Sequence, residues 1–180
     1  SIEEVIERIR EEAERLLKEL EEVNRESTRL AEDLREELRR VLENSRALVK
    51  ELKERIRKES LLKEVDELAK RLTEEHERLL REVEDIMRKV NKHDTELLRT
   101  VEELMKEVKR RLEELRRRNV DDKSLKELLR DVERKIREVR KRLKESLERV
   151  EREIRRVREE IKRLNDESRE RIERVKRRVD

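Results

Sequence analysis

The 180-residue chain has no glycine, proline, cysteine, phenylalanine, tyrosine, tryptophan or glutamine. Average usage is about 7% glycine and about 5% proline, so roughly twenty residues of those two types alone would be expected at this length. Each absence excludes something. Without glycine and proline, most turn chemistry and every tight β-hairpin signal are gone. Without cysteine there is no disulfide, thiol nucleophile or thiolate metal ligand, and the redox compartment is left undetermined. The missing aromatics remove any stacking platform for nucleic-acid bases. No apolar run approaches the about 20 residues of a membrane span. A signal peptide is not expected, because the first ten residues already alternate charged and apolar side chains.

What is there is the vocabulary of helix surfaces and aliphatic cores. The chain is 58% charged and 32% hydrophobic, almost entirely Glu, Arg, Lys, Leu, Val and Ile. Such a composition also suits disorder, but disorder would scatter the apolar residues. Here they recur at helical spacing from end to end. From Ile2 to Ile56 the stripe takes fifteen steps over 54 residues, a mean of about 3.6. From Leu62 to Leu115, and again from Leu125 to Val179, the same spacing holds. A strict heptad would give 3.5 and a supercoil, so these helices are expected to be nearly straight. Extra apolar positions such as Leu17, Leu42, Leu80, Met87 and Leu147 widen the stripe to suit a helix packed against two others.

Two phase breaks divide the pattern. After Ile56 the apolar positions shift by more than a third of a turn, to Leu61, Leu62 and Val65. With Ser60 available as an N-cap, a very tight turn is predicted at 58–60. The second break is Arg116-Arg117-Arg118, then Asn119 for a left-handed C′ position and Val120 for the contact that follows it. Asp121 or Asp122 then caps the next helix, with Ser124 and Glu127 as an alternative capping box. Ser1 with Glu4 repeats that box at the start of the sequence. The fold class predicted is all-α: a single-chain, up-down-up three-helix bundle spanning 1–180, with helices at about 2–58, 61–118 and 122–179. Each helix would be about 85 Å long at 1.5 Å per residue.

Charge is unevenly placed. Residues 124–180 carry 22 basic and 15 acidic side chains, about +7, whereas each preceding third is about −2. Arg alternates with Glu throughout, so the basic third reads as complementary to acidic neighbours in the same bundle, not as a nucleic-acid footprint.

Short turns fix the register, which matches residues whose numbers total about 119 across the first turn and about 241 across the second. The stray polar residues then gather in two layers. One holds Asn44, Ser45, Thr73, His76, Asn165 and Ser168; the other holds Asn24, Ser27, Thr28, Asn91, His93, Asp94, Thr95 and Ser146. Grouping lets polar groups find partners, and it penalises sliding by a heptad.

In composition, capping and these layers, the whole chain resembles de novo designed helical bundles with buried hydrogen-bond networks. That resemblance implies a structural scaffold with no natural biochemical function, and the 32% apolar content leaves little for a second apolar face, so a monomer is expected. Spectrin repeats usually carry a Trp, and natural coiled coils such as tropomyosin are rich in Gln and Ala; neither pattern is met. The alternative within the same resemblance is a designed binding or switch module that uses a helix face or a displaceable helix.

Enzyme chemistry finds no purchase. His76 and His93 are 17 residues apart on one helix, about 25 Å, and cannot share a metal. Thr73 and Val90 stand where a Glu-x-x-His di-metal motif needs Glu. Asp94 beside His93 points about 100° away. Acidic groups such as Glu11, Glu12 and Glu14 read as a solvated face with nothing to split their pKa values. No catalytic, cofactor-binding or metal-ligating residue is predicted, and neither a membrane nor a specific nucleic acid is an expected partner. Buried neutral histidines would titrate below about 6.5.

Overall fold

The computed structural model describes residues 1–118 and 121–179. Three helices account for nearly all of them: α1 (Ile2–Arg55), α2 (Glu59–Arg117) and α3 (Asp122–Val179), with no strand among the described residues. The chain is an all-α three-helix bundle. No described residue has positive φ, so the chain makes the 56–58 link without glycine.

The helix starts follow local capping chemistry. Ser1 Oγ accepts the Glu4 amide at 3.3 Å, and the Glu4 carboxylate lies 3.8 Å from the terminal ammonium, closing the box at the start of α1. At α3 the cap is Asp121, whose Oδ1 accepts the Ser124 amide at 3.0 Å. Hydrogen bonds from the Ser124 hydroxyl and amide hold the Asp121 carboxyl below its usual range. The roles predicted for Asn119 and Val120 fall outside the described residues.

The first link differs from the prediction. Helix α1 stops at Arg55 and α2 starts at Glu59, so the turn is at 56–58 and Ser60 lies inside α2 as its second residue. The Ile56 amide donates to the Lys53 carbonyl at 3.3 Å, and the Leu62 amide to the Lys58 carbonyl at 3.1 Å. Ile56 and Leu61 are both buried. Burying these two side chains decides where the chain reverses, and the serine cap signal loses to it.

The chain divides into two compact units, Ser1–Thr28 with Lys89–Val150, and Arg29–Arg88 with Glu151–Asp180. Each draws a segment from all three helices. In the first unit, Ile9, Leu16 and Leu20 of α1 pack with Leu97, Val101, Leu104 and Val108 of α2 and with Leu128, Val132, Ile136, Val139 and Leu143 of α3. In the second, Leu34, Leu38, Val49 and Leu52 are buried on α1, Val65, Leu72, Leu79, Val83 and Ile86 on α2, and Ile154, Val157, Ile161 and Leu164 on α3. Fully burying one such side chain stabilises the fold by about 1.5–3 kcal/mol. Core closure thus rests on many aliphatic contacts of similar size.

Ion pairs along the seams follow the register expected from sequence. In the first unit Lys135 meets Glu107 at 2.8 Å and Arg111 meets Asp131 at 3.0 Å between α2 and α3, while Arg140 reaches Glu19 of α1 at 2.9 Å. In the second, Arg178 meets Glu64 at 2.7 Å, Arg158 meets Glu37 at 3.2 Å, and Lys53 pairs with Asp66. Five of the cross-helix cations, Lys135, Arg140, Arg156, Arg158 and Arg178, belong to the basic α3 and pair with acids of α1 or α2. Three pairs run the other way, Arg8, Arg78 and Arg111 meeting Glu133, Glu160 and Asp131 of α3.

Candidate functional site

Ser27, Ser45, His76 and Ser168 are buried with the core, the other polar residues singled out by sequence lie at or beyond its edge, and each predicted layer lies within one unit. In the second unit Ser45, His76 and Ser168 are buried, Thr73 and Asn165 are half-buried, and Asn44 is exposed. Ser45 and Thr73 line one small groove between α1 and α2. In the first unit Ser27 is buried, Asn24, Thr28, His93, Asp94 and Ser146 are half-buried, and Asn91 and Thr95 are exposed.

The hydroxyls of these layers bond within their own helices. Ser168 Oγ donates to the Leu164 carbonyl at 2.6 Å, Thr73 Oγ1 to Ala69 at 3.0 Å, and Thr95 Oγ1 to Asn91 at 2.8 Å. Among the described residues, no hydrogen bond joins two of the fourteen layer side chains across helices. The physical reason is local. A Ser or Thr inside a helix always has the carbonyl four residues back within reach, whereas a cross-helix partner must be placed by packing.

Two buried atoms are left over as a result: His76 Nε2 and Asn24 Oδ1 have no hydrogen-bond partner. Burial lowers the His76 pKa below 6.5; a hydrogen bond to the Leu38 backbone and the charge of Glu77 oppose this, while Arg46 adds to it. The ring is therefore neutral at neutral pH. His93 differs from the expectation of burial. It sits at the edge of its layer with Nδ1 3.9 Å from Glu96. Asp94 is half-buried, and desolvation raises its carboxyl above the usual 3.8.

One polar cluster was missed by the sequence reading. In the second unit Glu82 of α2 and Glu160 of α3 lie side by side, each in contact with both Arg78 and Arg156. Treating acidic groups as a solvated face suits Glu11 and Glu14, which are exposed, but not Glu12, which is half-buried beside Arg140. Nor does it suit Glu82 and Glu160, whose Oε2 atoms are buried without a hydrogen-bond partner. The signal was available: the register that aligned the polar layers also places Glu82 opposite Glu160.

Among the described residues, no group of three or more His, Cys, Asp or Glu side chains is arranged to hold a metal ion. No described helix is long and apolar enough to cross a membrane. No protein-family model matches the chain, and no curated protein or solved structure matches it. The class that fold and layers define is a three-helix bundle with an aliphatic core and isolated polar positions.

Proposed function

We propose that the chain is a designed structural scaffold, a monomeric three-helix bundle that sets polar residues at chosen heights within an aliphatic core and has no natural biochemical activity. One observation carries this reading. The buried polar residues Ser27, Ser45, His76 and Ser168 all occupy stripe positions that a leucine or valine would otherwise fill. Together with the complete lack of glycine and aromatics, the apolar stripe and the caps at Ser1 and Asp121 agree with one fold, as in sequences written for a backbone. The polar positions then serve specificity: a helix slid by a heptad would set them against leucine.

A binding or switch module would draw on exposed apolar area. Among the described residues the large exposed apolar side chains are Leu48 and Leu98, one in each unit, and each stands singly.

The test is a double substitution, His76→Leu with Asn165→Leu, read by thermal unfolding and by solution mass. A midpoint that holds or rises, with the mass staying at the single-chain 22.4 kDa, is the expected result. A large fall in midpoint would mean that the polar layer contributes stability itself. A doubled mass for the unaltered chain would replace the scaffold by an assembly-forming reading.

A further inference from the structure

The Glu82–Glu160 cluster has an arrangement that ion pairing alone does not satisfy. Arg78 Nη1 lies 3.5 Å from Glu82 Oε1 and 3.7 Å from Glu160 Oε2. Arg156 Nη1 lies 3.4 Å from Glu160 Oε1 and 3.9 Å from Glu82 Oε1. Only the shortest of these contacts is a hydrogen bond. Both arginine side chains are about half exposed, at 53% and 55%, while the glutamate side chains keep 30% and 26% of their surface. Both Oε2 atoms are buried, and neither accepts a hydrogen bond. Two ionised carboxylates here would leave two acceptors desolvated and facing like charge, an arrangement that favours protonation of one of them.

We propose that Glu82 and Glu160 share one proton, forming a proton-binding site that fastens α2 to α3 of the second unit more firmly in mildly acidic solution. The proton comes from solvent. It forms an O–H bond on one carboxyl and is donated as a hydrogen bond to the other, so that one negative charge faces two arginines. The groups acting on Glu82 are Glu160 and Arg156 from α3 and Arg78 from its own helix, and among the described residues none comes from α1. Burial, and then the charge of Glu160, raise the Glu82 carboxyl above its usual 4.5. The sign follows: a carboxyl that binds its proton more readily when folded costs stability while ionised, and that cost is relieved as pH falls through the folded value. His76 works in the opposite direction over a neighbouring range, so it has to be removed from the comparison.

The experiment is thermal unfolding of the full chain carrying His76→Leu, with and without Glu82→Gln or Glu160→Gln, at pH 7.5 and 5.0. Glutamine imitates the protonated acid. At pH 7.5 either substitution should raise the midpoint by roughly 2–4 °C, the size expected for one relieved carboxylate in a chain of this length. The gain should be smaller at pH 5.0 than at pH 7.5, because the cost is relieved as pH falls toward the unfolded value, and the double substitution should add nothing to the single ones. Midpoints that fall at both pH values, or do not move, overturn the shared proton and leave two ionised carboxylates held by arginine. Carboxyl carbon shifts of the unaltered chain give a readout independent of any variant. A Glu82 that titrates above 4.5 supports the pair, and a Glu82 that titrates below that value overturns it.

Discussion

The α2–α3 seam is built twice, once in each unit, and the two versions differ. In the first unit it alternates unlike charges: Lys135 on Glu107 and Arg111 on Asp131. Each acid there is held below its usual range, first by the hydrogen bond from its partner. In the second unit the same seam sets two glutamates together and leaves two arginines to serve both. The helices, cores and register are of one kind, yet Glu82 shifts in the opposite direction to Glu107 and Asp131. In the first unit a side-chain hydrogen bond lowers each acid; in the second, burial and then the charge of Glu160 raise Glu82.

The largest effects should not depend on this difference. Leu128 in the first unit and Leu79 in the second are almost wholly buried. Replacing either by Ala should cost about 2–5 kcal/mol, measured by urea unfolding. A loss well under that range at one site alone would show that its core is less closed than the other's.

Next in size is the buried imidazole. An unpartnered buried nitrogen costs about 1–3 kcal/mol, so His76→Leu should stabilise the second unit at neutral pH. The pH dependence carries its own sign. A histidine whose folded pKa is lowered supports the fold above 6.5 and withdraws that support as pH falls through the folded value. Acidification below 6.5 should therefore erode the unaltered chain more than His76→Leu, read as the difference in midpoint. Equal erosion would mean that the ring is not buried in solution.

The smallest effect is the unlike pair. Lys135 and Glu107 each keep over a third of their surface. A double-mutant cycle should give only about 0.2–1 kcal/mol of coupling, less at high salt. Coupling well above that range would mean that the exposed seam contributes more to stability than solvent screening allows.

Much of this fold was legible because the apolar stripe has a single period with two breaks. The phase of Leu16, Leu104 and Val132 alone says which faces meet, and turn length then fixes the register. Asp121 was legible as a cap because an N-cap acts on its own neighbouring amides. The turn at 56–58 was not, because Ile56 and Leu61 place it by burial, which local signals do not report. The polar layers were legible as positions and not as bonds. Sequence shows that Ser168 shares a height with His76, but it does not show that Ser168 would bond to Leu164. The Glu82–Glu160 pair escaped for a third reason: in a chain with 51 acidic residues, a buried glutamate looks like any other.

The most direct test of the contrast between the seams is residue-resolved amide exchange on the His76→Leu chain, corrected for intrinsic rates, at pH 7.5, 5.0 and 3.5. Between 7.5 and 5.0, amides around Glu82 and Glu160 should gain protection while those around Glu107 and Asp131 hold steady. Below 5.0 the latter should lose protection, because carboxylates with lowered pKa withdraw their support as they protonate. Parallel loss of protection at both seams across the whole range would contradict the contrast and show that Glu82 and Glu160 behave as ordinary ion-paired carboxylates.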